Sequence, residues 1–149
     1  MNPEGLFAAF NIAIVPFWLL LIFAPRWIWT DRILHSIWLP IAIGIWALTL
    51  GVSSPAAPAD ASMGTLPGVI LLIGGAHGTL TVWTLLMCWD LLAGAWLSRD
   101  ARRLKIHHAW VVVSLLVTLM LGVLGLLLYL VIRAIRRKTF TMHEAPLQA

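Results

Sequence analysis

Uncharged apolar runs long enough to cross a bilayer are the feature that most constrains the fold of this chain. Residues 6–24 contain no charged side chain, and a hydrocarbon core about 30 Å thick needs roughly 20 apolar residues of helix. The mean hydropathy is +0.94 and only 11% of residues are charged, against about 25% in soluble domains. The sequence therefore predicts an all-α, polytopic membrane protein with a single domain over residues 1–149.

The apolar runs predict four transmembrane helices, over approximately 6–24, 33–52, 66–98 and 109–133. The third run is too long for one ordinary span and too short for two. Because Gly74, Gly75 and Gly78 weaken it, we expect either a break near 74–78 or one long kinked helix. Gly122 and Gly125 mark a close-packing face on the fourth helix, since small residues let neighbouring backbones approach in membranes.

The ten Lys and Arg residues form three short clusters at the ends of apolar runs. Membrane topology places positive charge at such positions, so the high pI does not indicate a nucleic-acid partner. The early clusters favour a cytoplasmic location for the first and third loops and an outside location for both termini, which the basic C-terminus contradicts. Membrane lipids are the expected partners, with anionic headgroups contacting the basic residues after the third helix: Arg99, Arg102, Arg103 and Lys105.

Asp90 lies within the third apolar run, where a carboxyl costs roughly 2.5–3.5 kcal/mol to insert and so indicates a functional site. Helical spacing places Trp83, Met87 and Gly94 on the same stripe, which we expect to face the bundle interior. Three roles remain open for Asp90: a protonated structural group bonded to neighbours such as Asn11, a ligand-positioning group, or a proton-transfer group.

The predicted ligand-binding set adds two residues to this stripe. Asn11 interrupts the first apolar run and is expected to form a hydrogen bond to another helix. Trp89 is one of the deeper tryptophans, which either pack against Leu or line a slot for a flat conjugated ligand. The complete set is Asp90, Trp83, Met87, Gly94, Asn11 and Trp89.

Motifs for catalysis and metal clusters are absent from the sequence. Cys88 is the single cysteine, no His pair has the i, i+4 spacing of a zinc site, and no catalytic residue can be assigned. A single His could still ligate the magnesium of a chlorophyll-type pigment, so His35, His77 and His107 stay open for that role.

Three segments together resemble the abscisic-acid-deficient-4 family of small four-helix membrane proteins. They are NIAIVPFWLLLIFAPRWIWT with a following HS, then VWTLLMCWDLLAGAWLSRDARR, then GVLGLLLYLVIRA, in the family's order and spacing. The most specific piece is Trp83, followed by Asp90-Leu91, Asp100 and the Arg cluster. This chain has Leu85 where the family usually has His, and Val123 where a Pro is common.

The resemblance implies carotenoid handling, because plastid members are required for forming the xanthophyll neoxanthin. Leu85 in place of the family His favours binding a carotenoid over transforming it; an enzyme of this kind would isomerise a carotenoid or rearrange its epoxide. The alternative is a non-catalytic accessory subunit of a larger photosynthetic pigment–protein complex, with other membrane subunits as partners. Either function places the chain in a bacterial inner membrane or an equivalent energy-transducing membrane.

Overall fold

A computed structural model describes residues 2–138, and this part of the chain is entirely helical, with seven helices and no strand. The helices are α1 (Pro3–Phe23), α2 (Ile28–Leu34), α3 (Trp38–Ser53), α4 (Leu66–Ile73), α5 (Ala76–Arg103), α6 (His108–Leu121) and α7 (Val123–Arg137). The predicted all-α class is confirmed. The third predicted helix is broken near the predicted glycines, since α4 ends at Ile73 and α5 begins at Ala76.

In length and composition, α1 and α5 could each cross a membrane. A third span results if α2 and α3, which are bent by 43° relative to each other, are counted together. The four-span count is therefore not confirmed in the described residues.

The fourth predicted helix, over 109–133, is replaced by the antiparallel pair α6 and α7, which we call the α6–α7 hairpin. The chain reverses at Gly122, whose φ of +56° is rare for residues that carry a Cβ. The reversal returns the end of α7 to the start of α6, so that the Arg136 guanidinium lies 5.4 Å from the Trp110 ring centroid. Arg137 Nη2 also donates a hydrogen bond of 2.8 Å to the Lys105 carbonyl. Neither helix has the roughly 20 residues that a complete crossing requires.

The α6–α7 hairpin brings the basic residues of the described chain to one end of the bundle. Arg102 pairs there with Asp31, and Arg136 and Arg137 lie beside the loop between α5 and α6. The other end carries the start of α1, where the Phe7 ring lies 6.1 Å from that of Trp83 near the start of α5. The basic C-terminal cluster and the early clusters therefore lie at the same end of the bundle, and the orientation of that end in the membrane remains a prediction.

Single-cysteine labelling can test this topology, because Cys88 is buried and adds little background with an impermeant reagent. We expect Lys105→Cys and Lys138→Cys to be labelled from the cytoplasmic side and Asp60→Cys from the opposite side. A single helix over 109–133 would instead place Lys138 on the same side as Asp60. Labelling of Lys138→Cys and Asp60→Cys from one side would therefore contradict the hairpin.

The core of the bundle forms where α1 and α5 run parallel. A Cβ at Gly94 would lie 3.2 Å from both the Trp18 ring and Leu115, so this glycine lets α1 and α6 approach α5 closely. Trp18 is 3% exposed, and Leu115 is completely buried. This packing lies next to the cavity described below and fixes the distance between its walls.

Candidate functional site

The candidate site is a cavity of about 1290 Å³ between α1, α5 and the α6–α7 hairpin, which we call the apolar cavity. Its lining is mostly Val, Ile, Leu, Met and aromatic side chains, with Asn11 and Asp90 as the polar exceptions. Along α1 it extends from Asn11 to Phe23, about 18 Å at a rise of 1.5 Å per residue. Ordinary small-molecule sites measure about 300–1,000 Å³, so this cavity has room for a long ligand.

Asp90 lies where the tip of the α6–α7 hairpin meets α5. A Cβ at Gly122 would lie 3.0 Å from Asp90 Oδ1, so the carboxyl packs directly against the reversal of the chain. Within residues 2–138, the Asp90 side chain makes no hydrogen bond or ion pair with another residue. Asp90 is nine residues from Arg99, about 14 Å along the helix, which places it near the middle of a 30 Å hydrocarbon core.

Trp83 and Asn11 join α5 to α1 at the other end of the cavity. Trp83 Nε1 donates to Asn11 Oδ1 at 3.4 Å, and Asn11 Nδ2 donates to the Phe7 carbonyl at 2.9 Å. The structure thus contains the hydrogen bond from Asn11 to another helix that the sequence predicts. It orients both side chains at the cavity wall.

The structure brings five of the six predicted ligand-binding residues to the cavity lining: Asn11, Trp83, Met87, Trp89 and Asp90. Trp89 is 68% exposed and lies at the outer edge, where a ring faces the surroundings as well as the cavity. Gly94 is not among the lining residues, because the Trp18 ring covers it. The ligand-binding role of all six residues remains a prediction.

The three histidines considered for a pigment lie in different surroundings. His35 places Nδ1 3.0 Å from Asp31 Oδ1 and Nε2 2.8 Å from the Ala95 carbonyl, so a pigment magnesium would have to displace one of these oxygens. His107 caps α6, where Nδ1 accepts from the Ala109 amide at 3.3 Å. His77 lies in the first turn of α5. No group of three or more His, Cys, Asp or Glu residues within 2–138 could hold a metal ion.

A buried polar cluster of Asp100, Tyr129 and Arg133 joins α5 to α7, and sequence reasoning missed it. Tyr129 Oη donates to Asp100 Oδ2 at 2.6 Å, and Arg133 Nε lies 3.4 Å from the same oxygen. Asp100 and Arg133 are each 3% exposed, and Tyr129 is fully buried. Helical spacing alone instead pairs Asp100 with Arg103, three residues further along the chain. The available signal was Tyr129 followed four residues later by Arg133, a pair on one helix face within an apolar run.

The basic residues predicted to meet lipid headgroups differ in their surroundings. Arg102 Nη1 donates to Asp31 Oδ2 at 3.0 Å, and its Nη2 donates to Oδ1 of the same carboxylate. Lys105 is exposed and follows the last residues of α5 with a φ of 52°. Arg99 is exposed, whereas Arg103 is half-buried. Their contact with lipid remains a prediction.

Comparison with known proteins gives one assignment. No curated protein and no solved structure matches the chain. The model of the ABA DEFICIENT 4-like family matches residues 5–129, which run from the first turn of α1 to the middle of α7 and include every residue that lines the apolar cavity. The apolar helices agree with a membrane location, and the chain belongs to the ABA DEFICIENT 4-like family of membrane proteins.

Proposed function

We propose that this protein binds a carotenoid in the apolar cavity, within the bilayer. The observation that supports the proposal best is an elongated apolar cavity whose wall carries an unpartnered carboxyl, Asp90. A long conjugated hydrocarbon fits apolar walls of this kind, and tryptophan rings can stack on its flat polyene. Carotenoid handling is also the activity that the resemblance to the family implies.

The polar groups of the cavity suggest how the ligand would lie. Asn11 and Asp90 are the polar lining residues outside the tryptophans, so an oxygen-bearing end ring would lie against them. The polyene would extend along the apolar walls of α1 and α6 towards Phe23. A carboxyl near mid-bilayer is most stable when neutral, and a protonated Asp90 can donate a hydrogen bond to a hydroxyl or epoxide oxygen.

The lining supports binding over chemical transformation. Among the lining residues that the structure describes, Asp90 is the one ionisable side chain. Rearrangement of an epoxide requires an acid and a base placed around the reacting atoms, and the described lining supplies no titratable group besides Asp90. Leu85, where family members usually have His, agrees with the same conclusion.

Co-purification of pigment tests the proposal. We expect the protein to retain a coloured, extractable carotenoid when it is produced in a carotenoid-synthesising host and purified in mild detergent. Leu116 lines the cavity, so Leu116→Trp should fill it and lower the pigment-to-protein ratio about tenfold or more. Leu124→Trp is the matched control, because Leu124 is similarly exposed on the α6–α7 hairpin but does not line the cavity. A colourless wild-type preparation would argue against carotenoid binding.

Substitution of Asp90 tests the proposed hydrogen bond. Asp90→Ala should weaken carotenoid binding about tenfold, since a lost hydrogen bond is worth about 0.5–1.5 kcal/mol and 1.4 kcal/mol is a factor of ten. Asp90→Asn keeps a donor and should bind nearly as well as the wild type. Equal binding by the Ala and Asn variants would exclude Asp90 from ligand recognition.

The alternative function, an accessory subunit of a pigment–protein complex, is favoured by the outward face of α3. Trp38 is 69% exposed and Leu48 is 70% exposed, so this helix offers a broad apolar surface to a neighbouring subunit. Native electrophoresis of solubilised source membranes separates the two functions. Migration as a free small protein would exclude a stable complex, whereas carotenoid binding requires no partner.

A further inference from the structure

A second cavity, of about 620 Å³, lies at the basic end of the bundle, between the end of α1, the end of α5 and the start of α6. We call it the basic cavity. Its lining includes Arg26, Arg102, Lys105 and two histidines, and none of its lining residues within 2–138 is acidic. The Arg102 charge is balanced by the two hydrogen bonds to Asp31. Within the described residues, Arg26 and Lys105 form no ion pair, so about two positive charges remain for a ligand.

The basic cavity also contains a buried polar group without a partner. Ser98 is 1% exposed and lines the cavity, and its hydroxyl has no hydrogen-bond partner in the part of the chain described here. A buried hydroxyl in a protein normally has a partner, because leaving it unpaired costs free energy. A bound acceptor oxygen in the cavity would satisfy it.

His107 adds a further donor. Its Nδ1 accepts from the Ala109 amide, which leaves Nε2 as the protonated nitrogen of the neutral ring. The basic cavity therefore combines two cationic side chains with two neutral donors, a set that suits an oxyanion with several acceptor oxygens.

The apolar part of the lining indicates which kind of oxyanion the basic cavity would bind. Phe23 lines both the basic cavity and the apolar cavity, and Ile106 and Val111 continue the apolar surface. A free inorganic anion would gain nothing from these side chains, whereas an amphiphile would bury its chain against them. The positive charges of Arg26 and Lys105 are together more than enough to balance the single negative charge of a phosphodiester.

We propose that the basic cavity binds the phosphate of an anionic membrane phospholipid, with Ser98, Arg26, Lys105 and His107 as donors and Phe23 at the start of its acyl chain. This site is separate from the proposed carotenoid site and does not depend on it. It is also more specific than general attraction of basic residues to the membrane surface, because it requires a buried hydroxyl and a defined cavity.

Lys105 offers a substitution that removes charge without harming the fold. Its φ of 52° lies in the left-handed region, where glycine is the preferred residue after a helix. Lys105→Gly should therefore leave stability unchanged or slightly higher. Lys138 has the same φ of 52° after α7 but does not line the basic cavity, which makes Lys138→Gly the matched control.

Native mass spectrometry of the detergent-purified protein, incubated with vesicles of phosphatidylglycerol or phosphatidylcholine, tests the site. We expect one retained phosphatidylglycerol and little phosphatidylcholine on the wild type. Lys105→Gly should reduce this adduct about fivefold, as expected for one basic residue near a lipid phosphate. Ser98→Ala should reduce it about tenfold, whereas Lys138→Gly should leave it unchanged.

Three results would overturn the proposal. They are equal retention of the two lipids, equal effects of Lys105→Gly and Lys138→Gly, and displacement of the lipid by millimolar inorganic phosphate. The last result would identify the site as one for a free anion. Because the readout is the bound lipid, loss of carotenoid in any variant does not affect the conclusion.

Discussion

Asp100→Asn should lower the free energy of unfolding by about 3–5 kcal/mol, the usual cost of leaving a buried charge without its partner. The carboxylate is 3% exposed and contacts both Tyr129 Oη and Arg133 Nε. Arg133 is equally buried, and its Nε and Nη1 have no hydrogen-bond acceptor among the described residues. Asp100 is therefore its main source of electrostatic compensation, which a neutral amide cannot replace.

Two further variants distinguish the effect of the buried charges on stability from the effect of side-chain packing in the cluster. Tyr129→Phe keeps the ring, which packs edge-on against Trp96 at 6.0 Å, and removes one hydrogen bond, so we expect a loss of about 1–3 kcal/mol. The triple variant Asp100→Leu, Tyr129→Phe, Arg133→Met removes every polar member of the cluster and should recover most of the stability. The free energy of unfolding of all three variants can be measured by denaturant unfolding in detergent micelles, with tryptophan fluorescence as the readout. A triple variant less stable than Asp100→Asn would show that shape, not charge, dominates the cluster.

The cluster illustrates what the sequence alone could not provide. Asp100 and Tyr129 are separated by 29 residues, and their contact exists only because α7 runs back along α6. Local spacing instead pairs Asp100 with Arg103, which is a reasonable neighbour on one helix face. Local spacing therefore gives no sign of the contact between Asp100 and Tyr129.

Local sequence signals did predict several elements of the fold. The glycines at 74 and 75 break the third apolar run because they weaken helical structure, and Asn11 finds a donor on another helix because a polar side chain in an apolar run needs one. The hairpin was not predictable in the same way. Residues 109–133 have the length of a single span, and Gly122 is equally suited to helix packing and to chain reversal. Only the positive φ distinguishes the two.

The part of the site that lies on a single helix could be predicted from the sequence, because it depends on local spacing alone. A stripe at helical spacing correctly placed Trp83, Met87 and Asp90 on one side of α5, since that pattern depends on a single helix. The opposite wall of the apolar cavity comes from α1 and from the hairpin tip. The position of this wall depends on how separate helices pack, and the periodicity of the sequence does not determine that packing.

Gly125→Ala should destabilise the α6–α7 hairpin by about 3 kcal/mol, the upper end of the usual cost of overpacking. A Cβ at Gly125 would lie 2.1 Å from Thr118 N and 2.3 Å from Thr118 Oγ1. The nearest atom belongs to the backbone, so no side-chain rotation relieves the clash and the two helices must separate. Because Gly122 at the hairpin tip contacts Asp90, separation should also change the apolar cavity and lower carotenoid retention.

Gly44→Ala is the matched control for Gly125→Ala, because both replace a helical glycine with the same residue. An added Cβ at Gly44 meets no atom of the described chain within 4 Å, so relief of the glycine entropy cost should stabilise α3 by about 0.5–1 kcal/mol. The two substitutions are thus expected to change the free energy of unfolding in opposite directions. Denaturant unfolding of each variant beside the wild type measures this change. A single uninterrupted helix over 109–133 would place Gly125 in a similar setting to Gly44, and alanine would then stabilise both. Stabilisation by Gly125→Ala would therefore contradict the close approach of α6 and α7, and with it the wall that the hairpin contributes to the apolar cavity.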